Sequence, residues 1–283
     1  MPVLNTDSIR LSTAGDVISA NVILDPDGNN AASVTASGLF ISGPNETGWF
    51  PCDETVTYAG TDDPSFFVAV VGDKTAKYQP GMRFRCTQTT LKYFIITGVV
   101  YSGGTGLTTL TLYGGTDYDL VSGTITQPVY STAKSPTGFV ADPTKWTVRT
   151  ADASDRSQAN PDAATWYNVG GLTLLIPPGL WNVYLQANPR CVTTGGGLGL
   201  LCALSTAPDS VPDGELEARV IYGDVNMNDG RKEVVLEKTI SLSIKTAYYP
   251  VLYMDKGTSA VGSLAFLGAT DAPTIMQAAC AYL

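Results

Sequence analysis

Thr274-Ile275-Met276-Gln277-Ala278-Ala279-Cys280-Ala281-Tyr282-Leu283 is the stretch on which the fold turns. Read with a period of two it is a half-buried strand, and it stays apolar to its last residue. A free apolar tail frays and sticks, so such a strand has to be built into a sheet. The C-terminal part of the chain is therefore expected to be closed by its own final residues.

Working outward from that strand, runs at 172–176, 181–186, 198–204, 216–222, 239–244, 248–254 and 263–267 complete a set of about eight strands over roughly 120 residues, the size of a jelly roll. Further upstream, 55–58, 66–71, 82–87, 91–101 and 108–113 read as strands, with Ser102-Gly103-Gly104-Thr105-Gly106 as a hairpin connection between the last two. The 29 glycines, 17 prolines and a charged fraction of only 15% fit short strands and many turns. The chain is thus expected to be all-β, with an N-terminal extended arm, a small β-barrel or sandwich module and a C-terminal jelly-roll-like β-sandwich. The boundaries fall at 1–45 for the arm, 46–130 for the small module, 131–144 for a linker rich in Ser, Thr, Pro and Gly, and 145–283 for the sandwich. In the arm, Asp25-Pro26-Asp27-Gly28-Asn29-Asn30 is turn chemistry between extended pieces at 17–24 and 31–41, with too little apolar residue density to fold alone.

Several reaction classes are closed to this composition. With no histidine, neither a Ser-His-Asp nor a Cys-His couple can be assembled, and no imidazole can ligate zinc. A net charge of −9 disfavours polyanions, so nucleic acid is not an expected partner. The start Met1-Pro2-Val3-Leu4-Asn5-Thr6-Asp7 lacks a signal-peptide pattern, and the apolar run at 66–71 is too short to span a bilayer. Assembly in a cytoplasm and no membrane insertion are the expectations. The five cysteines, Cys52, Cys86, Cys191, Cys202 and Cys280, contain no C-x-x-C pair and read as free, buried thiols. One alternative stays open: a two-residue turn at Gly196-Gly197 sets Cys191 opposite Cys202, with Cα atoms about 5.5 Å apart, which does not forbid a bridge.

The candidate constellations are each weighed against a plain reading. Asp224-Val225-Asn226-Met227-Asn228-Asp229-Gly230 has alternating oxygen ligands, but its glycine arrives one position late and Val235 stands where a calcium loop needs Glu. Asp25-Pro26-Asp27-Gly28 fails in the same way, with Ala36 at the twelfth position. Glu215 and Glu217 share a strand face with Arg219 and read as a solvated charged strip rather than a glycosidase pair. Asp53-Glu54 and Asp62-Asp63 read as strand or loop carboxylates. Gly195-Gly196-Gly197-Leu198-Gly199 lacks the Lys-Ser/Thr ending of a phosphate loop. The basic stretch Lys74, Lys77, Arg83, Arg85 and Lys92 offers a docking face, with Arg83 and Arg85 on one side of a strand and Phe84 turned inward; a charged strip that discourages edge pairing is the plainer alternative. Aromatic side chains suit sugar rings. Among Trp166, Tyr167, Trp181, Tyr184, Tyr222, Tyr248 and Tyr249, Tyr222 adjoins a polar loop, and Tyr222, Asp224, Asn226 and Asn228 form the candidate glycan contact. No catalytic residue, cofactor or metal site is assigned.

Family resemblance enters through particular segments. Asn21-Val22-Ile23-Leu24-Asp25-Pro26-Asp27-Gly28-Asn29-Asn30-Ala31 with Gly38-Leu39-Phe40-Ile41 is similar to N-terminal segments of phage fibre and spike proteins. Lys92-Tyr93-Phe94-Ile95-Ile96-Thr97, Tyr113-Gly114-Gly115-Thr116-Asp117-Tyr118-Asp119-Leu120 and Tyr130 to Phe139 resemble a module of phage and prophage tail proteins. Lys145-Trp146-Thr147-Val148, Thr165-Trp166-Tyr167-Asn168-Val169, Ile176-Pro177-Pro178-Gly179-Leu180-Trp181 and the closing strand resemble the C-terminal module of tail and receptor-binding proteins of tailed bacteriophages. The resemblance implies a virion protein without enzymatic activity, a tail, baseplate, fibre or spike component. It further implies a homotrimer joined to other virion proteins through the arm and bound to a bacterial surface polysaccharide through the sandwich. A purely architectural virion protein is the alternative, and a capsule depolymerase a more distant one.

Overall fold

A computed structural model describes residues 11–13, 18–20, 32–35, 38–41, 47–162, 164–193, 198–212, 216–222, 230–256 and 261–283. The chain divides into two compact units, Met1–Phe50 and Pro51–Leu283. Among its described residues the first holds two antiparallel strand pairs, β1 (Leu11–Thr13) with β2 (Ile18–Ala20) and β3 (Ala32–Thr35) with β4 (Gly38–Ile41). Strand β5 (Phe50–Pro51) spans the junction in sequence.

The second unit begins with an antiparallel sheet. Its strands are β6 (Thr57–Asp62), β7 (Ser65–Val71), β8 (Arg83–Gln88), β9 (Thr90–Ser102), β10 (Leu107–Tyr113) and β11 (Thr126–Ser131), in the spatial order β11-β8-β9-β10-β7-β6. The turn at 103–106 joins β9 to β10 as the glycines suggest: the Gly106 N–H donates to the Ser102 carbonyl at 2.8 Å with Gly106 at φ +66°, a left-handed conformation that favours glycine. Phe66, Val68, Phe84, Phe94, Leu110 and Leu112 line one face of the sheet, and Tyr78 and Leu120 from its loops close over them. Of the two forms open to this module, the barrel is not the one adopted, because the sheet does not close on itself: β6 is an edge and pairs with β7 alone, and β5 adds to the sheet beside β11.

Beyond it lie β12 (Thr147–Asp152), β13 (Asp155–Ala159), β14 (Trp166–Tyr167), β15 (Leu174–Ile176), β16 (Gly179–Ala187), β17 (Pro189–Thr193) and β18 (Leu198–Ser205). The remaining strands are β19 (Glu217–Tyr222), β20 (Gly230–Arg231), β21 (Val234–Leu242), β22 (Thr246–Lys256), β23 (Val261–Leu267) and β24 (Thr274–Cys280). One sheet has the order β12-β24-β16-β21; opposite it, β13-β23-β17-β20 and β14-β22-β18-β19 repeat one order with successive segments. Counting each such pair of segments as a single strand leaves eight, arranged 1-8-3-6 and 2-7-4-5. That is the double Greek key of a jelly roll, and the short β15 pairs beside it with β22.

The closing strand behaves as its period requires. In β24 the side chains of Thr274, Met276, Ala278 and Cys280 are buried, and those between them are half-buried. Strand β16 has the same rhythm, and its Trp181, Val183 and Leu185 stand opposite Cys280, Ala278 and Met276. These six residues form one apolar layer, while Leu200, Cys202, Leu252 and Met254, all buried, lie in the other sheet. The strand stops at Cys280 rather than running to Leu283; Ala281 donates to the Leu180 carbonyl at 3.0 Å.

One expectation about the thiols is corrected here. Strands β17 and β18 do not pair with each other. Cys191 lies opposite Leu264 and Gly230, whereas Cys202 lies opposite Leu252 and Ala218. Both segments occupy the same place in the strand order, so the two thiols cannot face one another across a hairpin, and both are free.

Candidate functional site

The basic stretch folds into something other than a docking face. Arg83 is 1% exposed, although a guanidinium is normally kept in water. Its Nε donates to the Lys134 carbonyl at 2.9 Å, Nη1 to Gly81 at 2.7 Å and Nη2 to Tyr282 at 3.0 Å. The planar group lies over the Phe139 ring, 4.7 Å from its centroid. Burial lowers its pKa, and the forked donors compensate by meeting three main-chain acceptors at once. Arg85 is half-buried on the same strand. Lys92 is drawn to the Asp119 carbonyl at 2.6 Å.

Lys74 and Lys77 are likewise consumed. Both meet Glu54, at 3.2 and 2.9 Å, and the Tyr78 hydroxyl donates to the same carboxylate at 2.9 Å. Burial by itself raises the Glu54 carboxyl, but the donors Lys77, Tyr78 and Lys74 outweigh it and hold it down at about 2. Lys77 also sits over the rings of Tyr78 and Tyr130, at 5.4 and 5.2 Å. Cys52, beside this cluster, is pushed up to about 11 by burial, so its thiol stays protonated and unreactive at neutral pH. The cluster is a fastening of the 52–54 loop to the 74–78 loop.

Arg83 belongs to a larger junction between the first sheet and the jelly roll. Phe139 stacks on Trp146 with ring centroids 5.0 Å apart and planes 7° from parallel; Tyr113 meets Trp146 and Trp181 edge-on at 6.0 and 4.9 Å. Trp146, Trp181 and Tyr113 are fully buried. The Trp146 indole N–H donates to the Val140 carbonyl at 2.6 Å. Segment 131–144, read as a linker from its composition, thus contributes the buried Ser131, Pro136 and Phe139 to this packing. Backbones also approach closely here. A Cβ on Gly115 (φ +65°) would lie 2.4 Å from the Lys145 carbonyl oxygen, and one on Gly179 (φ +133°) 2.9 Å from the Thr97 Cβ, so only glycine fits at either point.

Beside the junction opens a cleft of about 700 Å³. Asp63 and Pro64 reach it from the β6–β7 turn, Gly115 and Thr116 from the end of β10, Thr147 to Thr150 from β12, and Thr173 to Leu175 from β15. Strand β12 is the edge of its sheet. Three of the hydroxyls spend their protons inside the protein: Thr116 donates to Asp117, Thr144 to Asp142 and Thr147 to the Pro143 carbonyl, each at 2.8 Å. Their lone pairs are left to accept. The Asp63 backbone is fixed from the jelly roll by Lys245, whose ammonium donates to the Asp63 carbonyl at 2.7 Å and to the Asp62 carboxylate at 2.9 Å. The Asp63 carboxylate itself and the Arg149 guanidinium, both exposed, form no hydrogen bond or ion pair among the described residues, with each other or with any other group.

Of the candidate glycan contacts, Asp224, Asn226 and Asn228 lie outside the described residues, as does Glu215. Tyr222 ends β19 opposite Leu198. Trp181 and Tyr248 are core residues, and Trp166 pairs with Tyr253 at 4.9 Å. Asp63 was visible in the sequence as a strand or loop carboxylate, with no role assigned to it. Arg149 was not, since nothing in the chain near it marks it apart from other strand arginines.

No protein-family model matches the chain, and no curated protein matches it. Among solved structures it is similar to the infectious bursal disease virus Gx strain structure at 13% identity, with 88% of this chain and 68% of that one covered and a TM-score of 0.26. A structure of the infectious bursal disease virus VP2 subviral particle gives 13% identity, coverage of 88% and 67%, and a TM-score of 0.25. The stem and receptor-binding domain of spike protein P1 from bacteriophage PM2 gives 10% identity, coverage of 82% and 94%, and a TM-score of 0.18. Similarity this low carries no argument about what this chain does.

Proposed function

We propose that this chain is a structural protein of a bacteriophage virion, a tail, baseplate, fibre or spike component that meets a glycan of the host cell surface and performs no chemistry on it. The observation that carries the reading is the union of a jelly roll with a second sheet through one aromatic junction, which makes residues 51–283 a single compact unit. Jelly rolls serve as capsid and lectin domains, and fastening one to a neighbouring sheet fixes the direction in which its surface is presented. The step from fold to role is analogy; the resemblance of its segments to phage tail and receptor-binding proteins supplies the rest. Weak single sites gain strength when a symmetric oligomer presents several together, so the working form in this reading is a homotrimer, assembled in the host cytoplasm and joined to other virion proteins.

Labelled full-length protein incubated with intact host bacteria tests the reading. Saturable binding that disappears when the surface polysaccharide is stripped supports it, together with a solution mass of about 89 kDa for three chains of 29.8 kDa. An intact oligomer that binds no cells makes the protein an architectural component whose partners are other virion subunits. Release of new reducing ends from the polysaccharide overturns the non-enzymatic part and makes it a depolymerase.

A further inference from the structure

In the cleft beside the junction, opposite charges share a cavity without using each other. Several charged groups elsewhere find partners: Glu54 takes Lys74 and Lys77, Asp152 takes Arg156 at 2.6 Å, and Lys145 takes Asp117. Asp63 and Arg149 do not, although both line the same 700 Å³ of space. An acceptor-only carboxylate and a five-donor guanidinium, held apart, suit a ligand that donates at one end and accepts at the other. Threonine hydroxyls whose protons already point into the protein add acceptors between them. Pro64 and the 53% exposed Leu175 provide an apolar floor.

We propose that this cleft is a binding subsite for an uncharged oligosaccharide, with sugar hydroxyls donating to Asp63 and the threonine oxygens, and a vicinal pair of sugar oxygens accepting from Arg149. Sugars carry donors and acceptors on the same carbon and an apolar C–H face, and the cleft supplies a counterpart to each. Uncharged sugars are favoured over anionic polymers because the chain carries a net charge of −9, a long-range repulsion for a polyanion, while beside the cleft Asp62 and Asp117 are already matched by Lys245 and Lys145. The site is preorganised: Lys245 anchors the Asp63 turn from one side, and β12 is held in register by β24 from Thr147 to Asp152 on the other. The choice of a saccharide rests on the proposed glycan-binding role; the site itself rests on the unpaired groups.

The test is calorimetric titration of the full-length protein with maltotetraose, mannotetraose and chitotetraose, and with a teichoic acid as the anionic comparison, repeated on Asp63→Asn and Arg149→Gln. The expected result is millimolar or tighter binding of at least one uncharged tetrasaccharide, weakened about tenfold or more by either substitution while the melting temperature stays unchanged. Binding of an uncharged sugar that both variants retain overturns the cleft and leaves the glycan reading standing. Absence of binding by every uncharged sugar overturns the inference; if the protein still binds host cells or the teichoic acid, the glycan reading survives with another site and ligand class, and if it binds neither, both fall.

Discussion

Two arginines separate the two halves of this molecule's chemistry. Arg83, from the stretch with the highest density of basic residues, is buried against three carbonyls and a phenyl ring; Arg149, from an unremarked strand edge, is exposed and bonded to nothing among the described residues. Charge density in a sequence therefore says little about where a ligand goes. What distinguishes the cleft from the junction is the fate of the charges after folding: at the junction the Arg83 guanidinium is consumed in holding two sheets together, and at the cleft the charges are left facing a cavity.

If the junction is structural in this sense, removing one side of it is the largest perturbation available. A chain beginning at Thr144 exposes Trp146, Trp181 and the Cys280 end of the jelly roll, and it loses Phe139, Tyr113 and the Arg83 contact to Tyr282. Several aromatic faces of 150–250 Å² each lose cover. Such a fragment is expected to aggregate or to lack near-ultraviolet circular dichroism, whereas the chain from Pro51 is expected to melt cooperatively. A soluble, cooperatively melting fragment from Thr144 makes the jelly roll an independent domain.

Arg83→Lys is the next test. A lysine keeps the charge but cannot supply three donors in a fork, and it leaves main-chain carbonyls unsatisfied in a buried site. The expected cost is about 3–5 kcal/mol, read as a fall in denaturation midpoint with the urea slope unchanged. A loss below ~1 kcal/mol overturns the reading of Arg83 as a fixed part of the junction.

The strands show which parts of this contrast a sequence displays. β16 and β24 were legible because one face of each is buried at every second residue, from Trp181 to Ala187 and from Thr274 to Cys280. β13 was not, since Asp155-Arg156-Ser157-Gln158-Ala159 lies on the surface with no buried residue to set a period, and β17 opens on a proline. β21 was read five residues late because Glu237 and Lys238 interrupt its apolar half. The role of Arg83 was hidden for a different reason: its decisive partner, the Tyr282 carbonyl, lies 199 residues away. The cleft shares that difficulty, for Asp63 and Arg149 come from separate sheets and their significance is the absence of a bond, which no motif records.

Among the charges that the fold consumes, Glu54 gives a pH signature. Its folded value near 2 lies below its ordinary 4.5, so its contribution is fully present above pH 5 and lost as the pH falls from 4.5 toward 2. At a side-chain exposure of 13% the expected loss is about 2–3 kcal/mol, and Glu54→Gln should remove most of that acid sensitivity while lowering stability at pH 7. A variant with the wild-type acid profile places the sensitivity in other carboxylates. The thiols report on the same packing. Burial pushes Cys86, Cys191 and Cys202 up to about 12 and Cys280 to about 11, so a thiol reagent at pH 8 should label none of these four until the protein is unfolded, when all five cysteines react.

The smallest expected effect completes the comparison. Asp63→Asn and Arg149→Gln remove charges that hold no partner in the fold, so each should change stability by no more than ~0.5 kcal/mol at neutral pH. Matched chemical-denaturation curves of the two variants and Arg83→Lys make the contrast direct, because the milder, charge-conserving substitution is then costly in one region and the charge-removing ones nearly silent in the other. A large destabilisation by Arg149→Gln sets that side chain to work in the fold and removes the premise that the cleft keeps its charges in reserve. A negligible change is what two solvated charges without fold partners give, and it leaves both side chains available to a ligand in the cleft, whose affinity the sugar titration of the same two variants then measures.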